Sequence, residues 1–224
     1  MADSDEAGAI SRRALEYPYA TPDRSYLFLD GEARELPAAG PGLAGRTPLL
    51  SYGANAAPAA LARKLASLPG QGLPVLRAEL EGFDVVYSAH VSPYGAVPAT
   101  LMESPGTTAP VFVLHPTPEQ QALLTATEPN YDLVEVPLCL GMGDRRATRR
   151  VQAYRSKHGA LELNGRPVAL AAVRSRGRTL PELDERSVLE LARLHLGIGD
   201  DVPSFVRHCV AAGGVAPLPP ISAI

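Results

Sequence analysis

The chain has 224 residues, with 21 Lys and Arg against 24 Asp and Glu, giving a formal net charge of −3. That length suits one domain with appendages, burying about 70% of the surface its unfolded chain would expose, without metal or disulfide staples. The near-balanced charge gives no reason to expect a nucleic-acid or other polyanion partner. No apolar run approaches the roughly 18 residues that span a bilayer, so no membrane partner is expected. The acidic start MADSDEAGAI lacks the basic and apolar regions of a secretory signal. Two cysteines, Cys139 and Cys209, cannot build a disulfide framework, and a reducing, cytoplasmic location is the expectation. With 20 Gly and 22 Pro, many turns and short elements should follow.

In chain order, residues 1–24 are mixed and polar and read as loosely ordered. YLFLDGEARELP places Asp30-Gly31 between short strand-like pieces, the signature of a small hairpin. The stretch 37–45 is a linker by composition, which puts the main domain at 46–224 and leaves 1–45 as an N-terminal extension. TPLLSY (47–52) reads as a buried strand running into Gly53, with Asn55 as cap and Pro58 in the first turn of the helix that follows. LPVLRAEL, FDVVYSAHVS, AVPATLMES and APVFVLH read as four strands, with the second and third joined around Pro93-Tyr94-Gly95. Thr117, Pro118 and Gln120 form a capping-box signature for a helix running to about Glu128, because Pro129 disfavours helical geometry just before it. YDLVEVPLCL and TRRVQAY are further strands, and Asn164-Gly165 is the strongest hairpin signal in the chain. DERSVLELARLHLGIG, with Asp184 as cap and Gly197 as stop, is an amphipathic helix. A last helix is capped by Asp201 and stopped at Gly213-Gly214. Many strands with few helices between them predict an α+β fold, its sheet curled towards a barrel.

The sequence lacks a nucleophile elbow, a phosphate loop, H-E-x-x-H and C-x-x-C. No metal site is expected: His90, His115, His158, His195 and His208 are scattered, and each reads as an ordinary surface or core residue. Cys139 and Cys209 read as small core fillers. Arg145, Arg146, Arg149 and Arg150 read as a solvated strand edge, with an anion-binding patch as the alternative.

Two features carry possible chemistry. Ser51-Tyr52-Gly53-Ala54-Asn55 takes a buried strand directly into a helix N-terminus, a turn that presents backbone N–H groups to an anion. Glu128 ends its predicted helix, where the dipole disfavours a carboxylate. Partial burial beneath YDLVEV would raise its proton affinity and suit it to general base work.

The order LLSYGANAAPAAL, then Ala99-Thr100-Leu101-Met102-Glu103-Ser104-Pro105-Gly106, then a short helix ending in Glu128, resembles the γ-glutamylcyclotransferase-like family over about residues 47–155. VQAYRS, ending near Tyr154, and the looser Pro203-Ser204-Phe205 extend the resemblance. It implies a small mixed β-barrel with short flanking helices and a pocket at its mouth. It implies an enzyme that cyclises a γ-glutamyl amide to 5-oxoproline and releases an amine or amino acid, without a cofactor. Glu128 matches the catalytic residue, and Tyr52, Gly53, Ala54, Asn55 and Tyr154 match substrate-binding positions. Three positions depart from the family pattern: Ala54 where Ser is usual, Pro129 where Gly often follows the Glu, and Phe205 where Tyr is common. The extension at 1–45 and an insertion at about 156–200 are additions. They leave open a non-catalytic ligand-binding or interaction module on the same scaffold. The leaving amine and the oligomeric state are also open, a homodimer included.

Overall fold

A computed structural model describes residues 2–142 and 145–222, with side chains for 7–138 and 149–222. The chain opens with α1 (Ala2–Leu15), then the hairpin β1 (Tyr26–Leu29) and β2 (Glu32–Arg34), then β3 (Leu49–Ser51). A single 3-10 turn leads into α2 (Pro58–Lys64). Next come β4 (Leu73–Tyr87), β5 (Ala99–Leu114), α3 (Pro118–Ala126), β6 (Tyr131–Met142) and β7 (Arg145–Ser156). The rest is short strands β8 (Glu162–Leu163), β9 (Arg166–Pro167), β10 (Ala169–Leu170) and β11 (Glu182–Leu183), then α4 (Glu185–Leu196) and α5 (Val202–Ala211).

One mixed sheet runs β11-β10-β4-β5-β3-β7-β6, with the β1–β2 hairpin attached to the start of β4. β3 lies antiparallel to β5 and parallel to β7. The four strands expected over 73–114 are two long ones. Gly82 and Gly106, both with positive φ, sit within β4 and β5 instead of ending them. The β4–β5 register shifts between Glu81 and Phe83, so Gly82 supplies a bulge and not a turn. Bulging of this kind bends the sheet strongly. Ser51 pairs with Phe112, yet a Cβ on Gly53, two residues on, would lie 3.6 Å from Ala99 Cβ at the other end of β5. A straight strand would hold Ala99 and Phe112 about 43 Å apart. Among the described residues no ladder joins the two ends of this path, so the pairings show one large mixed sheet within an α+β fold and do not by themselves show a closed barrel.

Alternation along the strands sorts the apolar residues to two faces. Leu50, Val113 and Ala153 pack with Val188, Leu189 and Ala192 of α4 and with Phe205, Val206 and Cys209 of α5. Their neighbours Leu49, Leu114 and Tyr154 pack with Leu61 and Leu65 around α2, Leu124 of α3, and Tyr26 and Phe28 of the hairpin. Each fully buried Leu or Phe contributes about 1.5–3 kcal/mol. The capping expectations at Thr117, Asp184 and Asp201 are met, each side chain accepting a backbone N–H three residues on. Asn55 is a correction: Ala57 caps α2, and the Asn55 side chain is used elsewhere.

The first 24 residues are a further correction. They hold α1 and then Tyr17, which is 6% exposed. Ile10, Ala14 and Tyr17, at spacings of four and three, carry this segment into the core. The loop at 171–181 is fixed by a buried ion pair. Arg178 Nε and Nη2 each donate to Asp84 at 2.8 Å, and Ser175 Oγ donates to Asp84 Oδ1 at 2.8 Å. Cys209 is a buried free thiol in α5, as expected for a core filler, and burial pushes its thiol up to about 11. The Cys139, Arg145 and Arg146 side chains lie outside the described residues; Arg149 and Arg150 are exposed.

Candidate functional site

β3 delivers Ser51 and Tyr52 to the wall of a cavity of about 490 Å³. The parallel register of β3 and β7, Leu49 with Gln152 and Leu50 with Ala153, brings Tyr154 alongside. The Tyr52 hydroxyl donates to the Tyr154 carbonyl, and the Tyr154 hydroxyl is 2.8 Å from Thr125 Oγ1 on α3. The chain then turns through Gly53, Ala54 and Asn55, whose three backbone N–H groups find no protein acceptor among the described residues.

α3 ends at Ala126, two residues earlier than the sequence predicts, and Glu128 follows in an added turn. Its N–H donates to the Thr125 carbonyl at 3.0 Å, and its carbonyl accepts from Tyr131 N–H at 3.1 Å. This turn aims the carboxylate at the loop after β3. Asn55 Nδ2 donates to Glu128 Oε1 at 3.0 Å. Lys64 Nζ from α2 reaches the same oxygen at 2.6 Å, with only 19% and 14% of the two side chains exposed. Among the described residues nothing bonds Oε2. The structure therefore brings together all six residues the sequence singled out: Tyr52, Gly53, Ala54, Asn55, Glu128 and Tyr154 line one cavity. Asn55 Oδ1 and Ser51 Oγ are buried there without a hydrogen-bond partner, which leaves an acceptor and a hydroxyl for a guest.

Several lining residues were not legible in the sequence. Six of the eight tyrosines line the cavity: Tyr52 and Tyr154, singled out in the sequence, and Tyr17, Tyr19, Tyr94 and Tyr131, which were not. Burial pushes the hydroxyls of Tyr17, Tyr52, Tyr94 and Tyr131 upward, so each remains a protonated donor. Tyr17 Oη accepts from Ala99 N–H at 2.8 Å while Tyr131 Oη donates to Ala99 O at 2.9 Å, which fixes the start of β5. His90, dismissed with the other histidines, lines the cavity beside Tyr131. Burial first, and then His158, pushes it down to about 4, so it is a neutral imidazole bonded to Ser88 Oγ at 2.7 Å. Lys64 and Arg63 come from α2 and Arg13 from the end of α1. Only a run of basic residues in each helix hinted at them.

Nothing from residues 156–200 lines this cavity. Among the described residues no group of three or more His, Cys, Asp or Glu is placed to hold a metal ion. No helix among them is long and apolar enough to cross a membrane. In chemical terms the cavity presents a carboxylate fixed at one oxygen, free backbone donors opposite, and a largely aromatic wall.

No family model and no curated protein matches the chain. Among solved structures, a gamma-glutamyl cyclotransferase is 16% identical, over 50% of this chain and 68% of its own, with a TM-score of 0.41. An uncharacterized protein from Homo sapiens, loc79017, is 18% identical over the same shares, with a TM-score of 0.38. The first carries the name of the family that the sequence motifs resemble. Neither likeness bears weight at these TM-scores, and the functional reading rests on the cavity.

Proposed function

We propose that the chain is a γ-glutamylcyclotransferase-type enzyme that converts a γ-glutamyl amide to 5-oxoproline and a free amine or amino acid. One observation carries this reading: Glu128 and the Tyr52–Asn55 loop meet across one ligand-sized cavity, with Asn55 bonded to the carboxylate. The cavity holds the glutamyl chain curled, so that ring closure replaces a bimolecular encounter. The α-nitrogen of the substrate attacks its own γ-carbonyl carbon, forming the ring C–N bond as the amide C–N bond breaks. Glu128 takes a proton from the attacking ammonium and returns one to the leaving nitrogen. The N–H groups of Gly53, Ala54 and Asn55 hold substrate oxygens and polarise the carbonyl. Tyr52 and Tyr154 shape the wall. No step calls on a cofactor. Residues 1–45 are an addition to a domain that begins near Arg46, and they serve the site through Arg13, Tyr17 and Tyr19.

The test is mass-spectrometric detection of 5-oxoproline from a panel of γ-glutamyl amino acids and γ-glutamyl amines, with Glu128→Gln in parallel. Product from wild type should fall about 10²–10⁴-fold in the variant. Full activity of Glu128→Gln on a genuine substrate would overturn the assignment.

One observation favours a second reading, a binding module that performs no chemistry. Lys64 already neutralises Glu128 at 2.6 Å. In that case γ-glutamyl compounds bind wild type and Glu128→Gln alike, and neither releases 5-oxoproline.

A further inference from the structure

Two arginines from different helices meet at the mouth of this cavity. The Arg13 guanidinium carbon lies 5.0 Å from the centroid of the Tyr94 ring, and that of Arg63 lies 5.0 Å from the centroid of Tyr19. Both also act on the Tyr19 hydroxyl: burial pushes it up, and the two cations oppose that rise. Arg13 and Arg63 thus line the same cavity, each beside a tyrosine ring, although their charges repel. Neither has a carboxylate within ion-pair distance among the described residues. The contrast is with Arg176, Arg178 and Arg193, which are paired with Glu79, Asp84 and Glu190. Lys64, the remaining cation of the lining, is already held by Glu128.

We propose that Arg13 and Arg63 form a second anion site at the cavity mouth, and that it selects substrates whose leaving group itself carries a negative charge. The glutamyl part of this inference rests on the reading given above; the anion site does not. Arg13 lies over the Tyr94 ring and Arg63 over the Tyr19 ring, and guanidinium N–H donors without a carboxylate partner grip a carboxylate or phosphate. Both arginines are exposed, whereas Tyr52 and Glu128 lie deeper, so the pair sits where the cavity opens. With the γ-carbonyl at Glu128, the amide substituent must point outward, because it leaves by that route. A carboxylate or phosphate on that substituent meets the two arginines. An ammonium there is repelled.

Both residues are exposed, so Arg13→Gln/Arg63→Gln folds and serves as the comparison. In the first arm, succinate and inorganic phosphate are each titrated against wild type at ionic strength matched with NaCl. At a hundredfold excess over Kd the anion should raise the Tm by about 5 °C, an effect the double variant loses. The two anions separate a carboxylate preference from a phosphate preference. In the second arm, γ-glutamylalanine, γ-glutamylethylamide and γ-glutamylputrescine are bound calorimetrically in a Glu128→Gln background, so that no ligand is consumed. γ-Glutamylalanine should bind about tenfold more tightly than the ethylamide, with the cationic ligand weakest, and the ratio should fall to about one without the arginines. No anion effect on wild type, or one that survives in the double variant, overturns the site. Equal weakening of γ-glutamylalanine and the ethylamide would place the arginines on the glutamyl carboxylate and overturn the selection. Stabilisation by the anion with no γ-glutamyl compound bound keeps the site and sinks the cyclotransferase reading.

Discussion

Gly53 touches the N-terminal segment so closely that adding a methyl group there has a calculable cost. A Cβ at this position would lie 2.6 Å from Tyr17 Oη, 3.6 Å from Ala99 Cβ and 3.7 Å from Tyr17 Cζ. Only the hydroxyl oxygen is in collision. It cannot swing aside freely, because Tyr17 is 6% exposed and Oη accepts from Ala99 N–H at 2.8 Å. Gly53→Ala must displace the ring and strand that N–H, at about 1–3 kcal/mol, or compress the contact at a similar cost. We expect about 2–4 kcal/mol in all, a Tm lower by about 4–16 °C for a chain of this length. Tyr17→Phe removes the colliding atom and itself costs about 1–3 kcal/mol through the same N–H. Gly53→Ala made on top of Tyr17→Phe should then be nearly neutral, since the remaining contacts are ordinary ones. Urea denaturation of the four proteins should give a coupling of about 2 kcal/mol. A coupling below about 0.5 kcal/mol, with Gly53→Ala costing the same in both backgrounds, would refute the placement of Tyr17 against the loop.

Two further predictions concern buried charge. Arg178→Met leaves Asp84, wholly buried, without its guanidinium and should cost about 3–5 kcal/mol in chemical denaturation, whereas Arg178→Met/Asp84→Leu should cost less than the single change. Glu185 is buried at the start of α4, where Oε1 accepts from Val97 N–H at 2.7 Å and Oε2 has no partner. Burial raises its proton affinity far above the ordinary carboxylate range, so the folded state favours the protonated acid. Its contribution is full below the unfolded value of about 4.3 and is lost as pH rises towards the folded value. Glu185→Gln should therefore flatten the fall of stability from pH 5 to pH 8, read by thermal melts; an unchanged slope would show that Glu185 is ionised in the fold.

What the sequence disclosed was mostly local. The caps at Thr117, Asp184 and Asp201 and the turn at Asn164-Gly165 are written within a few residues, and they appear where expected. Gly82 and Pro105-Gly106 were misleading for the same reason. Each looks like a strand end locally, and only the long β4–β5 ladder makes Gly82 a bulge and keeps both glycines inside strands. α1 was missed because its apolar positions are few and its partner, α5, lies almost 200 residues away. The site divides similarly. The loop after β3 and Glu128 were legible as motifs in order along the chain. Lys64, Arg13, Tyr17 and His90 were not, because only the fold makes them neighbours. Asn55 shows both sides: the loop that carries it is legible in the sequence, but its side chain bonds Glu128 and does not cap a helix.

Pro129 and Lys64 look at first like obstacles to chemistry at Glu128, and their geometry argues otherwise for the first. Proline fixes φ at its own residue, and here it occupies the second position of the turn closed by Tyr131 N–H on the Glu128 carbonyl, a position it fits without strain. The Pro129 carbonyl accepts from Lys157 Nζ at 2.9 Å, and Tyr131 is anchored to Ala99. The backbone that carries Glu128 is therefore held from both sides, and the carboxylate points at the loop because of this turn and not in spite of it. Lys64 acts differently. Together with Asn55 it grips Oε1, which stops rotation of the carboxylate and presents Oε2 to the cavity in one orientation. Fixing a reacting group before substrate arrives removes an entropic cost from the chemical step. On the proposed cyclotransferase reading, the same cation also competes for the charge of the carboxylate it orients. On that reading the incoming substrate has to compete for Lys64, and a substrate that brings its own carboxylate to this side of the cavity is the kind that can.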